Sequence, residues 1–109
     1  MIIVHSKLQG DLGGTAAVLA HEVFHAQYPN AERRLGTPEA VPACVREEAA
    51  AFEWETRVWV ALPNSLKVGS GIQEFMNRLV RLWLAGALQV AVSSEPNYQT
   101  LCASRSSVL

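Results

Sequence analysis

A chain of 109 residues, half of them hydrophobic and 17% charged, has the size and composition of one globular domain and excludes a disordered segment. A formal net charge of −1, with no basic cluster beyond Arg33-Arg34, leaves no electrostatic footprint for nucleic acid. The first residues lack the charged and apolar regions of a signal peptide. The longest apolar run, Leu82 to Val92, is broken by Gln89 and too short to span a bilayer, so the expectation is a cytoplasmic protein without a membrane partner.

Taken in chain order, Met1 to about Leu8 alternates β-branched and polar residues and predicts a strand, placed at a sheet edge. Gln9 to Gly14 reads as a turn. A helix is expected to open at Gly14 or Thr15 and run to about Tyr28, where Pro29-Asn30 ends it. Residues 29–42 hold Pro29, Asn30, Gly36, Pro38 and Pro42 and predict a loop, with a short turn after Thr37. A second helix is expected from about Pro42 to Leu62, stopped by Pro63-Asn64-Ser65. Ser70 and Gln73 fit a capping box at the start of a third helix. Apolar residues then recur at helical spacing from Ile72 through Phe75, Met76, Leu79, Val80, Trp83, Ala87, Leu88 and Ala91. Leu82 and Val90 fall on its outer face and suggest a partner surface. Residues 93–109, with Pro96, Asn97 and several serines, read as an irregular tail. Cys44 and Cys102, in a chain without a secretion signal, are expected as free thiols. The expected class is α+β and mainly helical, one domain over residues 1–109 with a short N-terminal strand, a motif helix and two further helices.

The motif helix carries His21-Glu22-Val23-Phe24-His25, an H-E-x-x-H sequence. Residues four apart on a helix lie one above the other, roughly 6 Å apart, so both imidazoles can reach one metal ion. Glu22 points slightly off that face. It is poorly placed as a ligand and well placed to take a proton from a water that the metal activates. His5, His21 and His25 are the only histidines, which makes the spacing more telling.

A catalytic zinc site usually has three protein ligands and one open position. The metzincin extension of the motif fails here: Tyr28 stands where its glycine would be, and Ala31 where its last histidine would be. The next helix offers Arg46-Glu47-Glu48-Ala49-Ala50-Ala51-Phe52-Glu53-Trp54-Glu55. Glu48, Phe52, Glu55, Trp59 and Leu62 share one face of it. A carboxylate in line with Phe52 and Trp59 points inward, and a buried carboxylate needs a partner such as a metal. Glu47, one residue out of phase, is the alternative.

Leu19-Ala20-His21-Glu22-Val23-Phe24-His25-Ala26 together with Glu48-Ala49-Ala50-Ala51-Phe52 resembles a zincin metallopeptidase of the gluzincin branch, in the very short form called a minigluzincin. The resemblance covers roughly residues 1–62. It implies His21, His25 and Glu48 as zinc ligands and Glu22 as general base. Fewer elements precede the motif helix than zincins usually have, and no motif places a transition-state stabiliser.

The function expected is hydrolysis of peptide bonds with Zn2+ as cofactor, although a His₂Glu set also accepts nickel, cobalt or iron. The substrate is a peptide or protein, held as an extended strand along Met1–Leu8. His5, Tyr28 and Tyr98 are candidate donors to the oxyanion. A homodimer is an expected partner state. The alternative is a catalytically inactive metal-binding module that oligomerises around a vestigial site.

Overall fold

The computed structural model describes residues 10–29 and 33–106. Within them the chain forms α1 (Leu12–Gln27), α2 (Ala40–Ala61), the single turn α3 (Asn64–Lys67), α4 (Gln73–Leu84), α5 (Leu88–Ser93) and α6 (Pro96–Ser106). Helix α2 is the hub: α1, α4, α5 and α6 all lie against it.

Helix α1 starts earlier than its apolar pattern suggests, because Asp11 caps it. One Asp11 carboxylate oxygen accepts from Gly14 N–H at 2.8 Å. The other accepts from the Ser70 hydroxyl at 2.8 Å and from Gly71 N–H at 2.9 Å, which ties the start of α1 to the turn before α4. Burial works against the Asp11 charge, but these donors outweigh it and lower its pKa. Gly13 is fixed by proximity: a Cβ there would stand 2.0 Å from the carbonyl oxygen of Leu66, so α3 can pack on α1 only over a glycine.

The main apolar core adjoins the same face of α2 that packs on α1. Phe52 and Trp59 of α2 meet Met76 and Leu79 of α4 and Leu88 and Val92 of α5, with Ala17 of α1 closing one edge. Thr56 is fully buried there without penalty, because its hydroxyl donates to the Phe52 carbonyl at 2.7 Å. A smaller cluster joins Cys44 and Val45 of α2 to Cys102 of α6.

Several expectations need correcting. The class is all-α, not α+β: the described residues contain helices and turns and no strand. The strand expected over residues 1–8 lies outside the described residues, and the helices offer it no strand to pair with. The third helix does not run unbroken to Ala91. It stops at Leu84, and Gly86 at φ +70° turns the chain into α5, a left-handed conformation that ends helices. Its start is shifted as well. Ile72 is the N-cap, the Ser70 hydroxyl accepts from Ile72 N–H at 3.3 Å, and the Gln73 side chain accepts from Gly69 N–H at 3.2 Å. Leu82 is half-buried against the core, whereas Val90 is 68% exposed.

The segment read as an irregular tail is largely helical. Pro96 opens α6 at the first helical position, where a missing N–H costs nothing, and Gln99 caps back onto the Ser93 carbonyl at 2.6 Å. The cysteines are not free: Cys44 and Cys102 form a disulfide across 58 positions that fastens α6 to α2. Among the described residues no helix is long and apolar enough to cross a membrane.

Candidate metal centre

The centre forms where α1 and α2 face each other. His21 and His25 sit one turn apart on α1, and α2 presents Glu48 between them. His21 pairs further along α2 than His25 does, so the two helices run antiparallel. His21 Nε2 lies 2.6 Å from Glu48 Oε1, His25 Nε2 lies 3.3 Å from Glu48 Oε2, and the two Nε2 atoms are 3.2 Å apart. Tetrahedral zinc ligands at 2.0–2.1 Å stand about 3.3 Å from one another. The three residues form the one group of possible metal ligands among the described residues.

Without an ion, Glu48 can accept from the Nε2–H of each ring through its two oxygens, which leaves the two Nε2 atoms 3.2 Å apart with their protons side by side. One divalent cation would take the lone pairs of both rings and a carboxylate oxygen together. The donor types and their spacing fit a divalent ion such as zinc, which His21, His25 and Glu48 could hold, and the same side chains also pair with one another as ions.

The far side of each ring is also occupied. His25 Nδ1 lies 2.5 Å from Glu47 Oε2. His21 Nδ1 lies 3.0 Å from Glu55 Oε1, close enough for charge pairing but without in-line hydrogen-bond geometry. Glu47, the alternative third ligand by sequence, thus faces the outer nitrogen of His25 and stands outside the convergent group. Glu55 shares the Glu48 face, as its spacing implies, but spacing alone does not reveal that it meets His21.

Burial shapes the charges. It disfavours a charged His21, yet hydrogen bonds and attraction from Glu48 and Glu55 outweigh it and push the pKa up to about 9. Burial likewise opposes the Glu48 carboxylate, but His21 and His25 bring it down to about 2. His25 is raised despite burial and despite repulsion from His21, through Glu48 and Glu47. Phe52 stands edge-on to the His21 ring at 4.5 Å and supplies an apolar wall.

Glu22 is half-buried on α1 beside His21 and, among the described residues, holds no ion pair. Of the three candidate oxyanion donors, His5 lies outside the described residues. Tyr28 is the α1 C-cap, 53% exposed and stacked on Phe24 at 4.9 Å. Tyr98 of α6 is half-buried with its ring 5.3 Å from Phe52. Burial first, then the charges of Glu48, Glu95 and Glu55, raises its pKa, which keeps its hydroxyl a donor. No protein-family model matches the sequence, and no curated protein and no solved structure matches it. The gluzincin resemblance accordingly rests on His21, Glu22, His25 and Glu48 themselves.

Proposed function

We propose that this chain is a zinc-dependent peptidase. The observation that supports the reading best is the convergence of His21 Nε2, His25 Nε2 and a Glu48 carboxylate oxygen, all within 4.8 Å of one another, with the half-buried Glu22 next to the first histidine. Zinc, when bound, supplies a Lewis acid that makes water acidic enough to act as a nucleophile near neutral pH and polarises the substrate carbonyl.

The remaining chemistry belongs to side chains. Glu22 accepts the proton from the attacking water and returns it to the leaving amine, a role its position beside His21 allows without entering the ligand set. Phe52 keeps bulk water from one side of His21. Tyr98 is the best placed of the candidate donors to meet the negative oxygen that forms on the attacked carbonyl, because it packs on Phe52 and feels the Glu48 charge. A cytoplasmic setting is the expectation from the sequence, and the Cys44–Cys102 disulfide is the observation that weighs against it. In such a setting burial would shelter the disulfide, with Cys102 0% and Cys44 4% exposed, since thiol exchange needs access to sulfur.

Glu22→Gln keeps the shape of the side chain and removes the base. It is expected to bind zinc as the native chain does and to lose at least about a hundredfold in peptide hydrolysis, the usual reach of general base assistance. A broad peptide library is the assay. Native-like cleavage by Glu22→Gln would remove the mechanism. No cleavage by the zinc-loaded native chain would favour the metal-binding module with a vestigial site.

A further inference from the structure

We infer that Glu47 and Glu55 are positioning residues that aim the two histidines, Glu47 holding His25 and Glu55 holding His21 through their outer ring nitrogens. This rests on the metal reading of the site and concerns how α2 builds it. The side chains form a chain across the helix pair: Glu55, His21, Glu48, His25, Glu47. Contacts of 3.0, 2.6, 3.3 and 2.5 Å link its successive members.

A neutral imidazole has one N–H. A carboxylate at Nδ1 draws the proton there and leaves the Nε2 lone pair facing Glu48, where a metal needs it. At His25 the hydrogen bond to Glu47 also fixes the plane of the ring and makes the other nitrogen a stronger donor, while at His21 the Glu55 charge, 3.0 Å from Nδ1 but out of line, acts by attraction alone. Both carboxylates are hidden, Glu47 at 9% and Glu55 at 4% exposure, and an unpaired carboxylate would not be kept at such depth. Their register on α2 explains the division of labour. Glu55 follows Glu48 by two turns on the same face and reaches His21. Glu47 is rotated by about 100° from Glu48 and reaches the outer side of His25. One helix thus supplies the third ligand and both supports, while α1 supplies the two rings.

The test uses the full chain and zinc alone, with affinities read by competition against a chromophoric chelator. Glu47→Gln and Glu55→Gln keep an acceptor oxygen but not its charge. Each is expected to retain one zinc per chain with affinity lowered by about 10–100-fold. Glu47→Ala and Glu55→Ala should lose more, with the Gln forms intermediate. Nitrogen NMR of the zinc-loaded chains separates positioning from general loosening. In the native chain the His25 Nδ1–H should resist exchange through its hydrogen bond to Glu47, and the His21 Nδ1–H through burial beside the Glu55 charge. Glu47→Ala should expose that of His25 alone, and Glu55→Ala that of His21 alone. Should an alanine form fail to fold by circular dichroism, the glutamine forms decide by their affinities.

Native-like affinity in both glutamine forms would overturn the inference. So would exchange at both rings, or at the wrong ring, in the single variants. If the native chain itself bound no zinc, the metal reading would fall and this assignment with it. Zinc bound tightly by the native and variant chains alike would remove the assignment and leave the metal reading standing.

Discussion

The two neighbouring contact regions of α2, one toward the histidines of α1 and one toward α4 and α5, are built by different physics and meet at Phe52. Toward α1 the helix presents three buried carboxylates, Glu47, Glu48 and Glu55, to two histidines. Toward α4 and α5 it presents Phe52, Thr56 and Trp59 to Met76, Leu79, Leu88 and Val92. Burying charge helps only when partners are close and well oriented, whereas burying apolar surface helps almost regardless of orientation. The polar seam is therefore the specific and conditional region of the molecule, sensitive to protons and, on the reading proposed above, to metal. The apolar region and the disulfide hold α2 in place so that the seam can exist.

That contrast predicts how each region breaks. The largest effect on stability should come from the disulfide. Opening a link between residues 58 positions apart returns about 4 kcal/mol of chain entropy to the unfolded state. Cys44→Ser with Cys102→Ser should lower the urea midpoint accordingly at every pH. An unchanged midpoint would mean that the linkage contributes nothing in solution.

Next comes the apolar core. Met76 is fully buried, so Met76→Ala should cost about 2–5 kcal/mol through lost transfer energy and the cavity left behind. This loss should not depend on zinc or on pH. A loss that changed with zinc would show that the two regions of α2 are not separable.

The largest graded effect of pH should appear in the seam, beside a smaller acid-side contribution from the Asp11 cap. In the metal-free chain His21 titrates at about 9 in place of 6.5, so its contribution is complete below 6.5 and lost as pH rises through about 9. Glu48 titrates at about 2 in place of 4.5, so its contribution is complete above 4.5 and lost as pH falls through about 2. Metal-free stability should be highest between about 4.5 and 6.5 and decline on both sides. Zinc needs the histidines neutral, so its affinity should climb with pH and remove the alkaline decline. Urea midpoints across pH, with zinc and with a chelator, read this directly. An alkaline decline that persists in saturating zinc would contradict it.

The same contrast explains what could be read in the sequence. The polar seam was legible because its chemistry is tied to spacing. His21 and His25 are four apart, and Glu48, Phe52, Glu55, Trp59 and Leu62 mark one face, of which the first four are buried and Leu62, at the end of the helix, is half-buried. The apolar region was legible as a helical pattern but not in its breaks. The run from Ile72 to Ala91 keeps its periodicity through Ala85-Gly86-Ala87, and Gly86 was the available sign that the helix turns there. In α6, the polar and small residues after Pro96 hid a helix that Pro96 at its first position could have announced. The Cys44–Cys102 bond was beyond reach, since two cysteines fix no distance until the helices are placed. The α+β expectation came from residues 1–8, read from alternation and β-branched composition, without any strand among the described residues to pair with.

The most direct test of the account is the metal content of the purified chain and its variants after zinc loading and dialysis. The native chain and Glu22→Gln should each carry one zinc per chain. His21→Ala and Glu48→Ala should carry far less. Full retention of zinc in both of the latter would contradict the centre proposed at the α1–α2 seam.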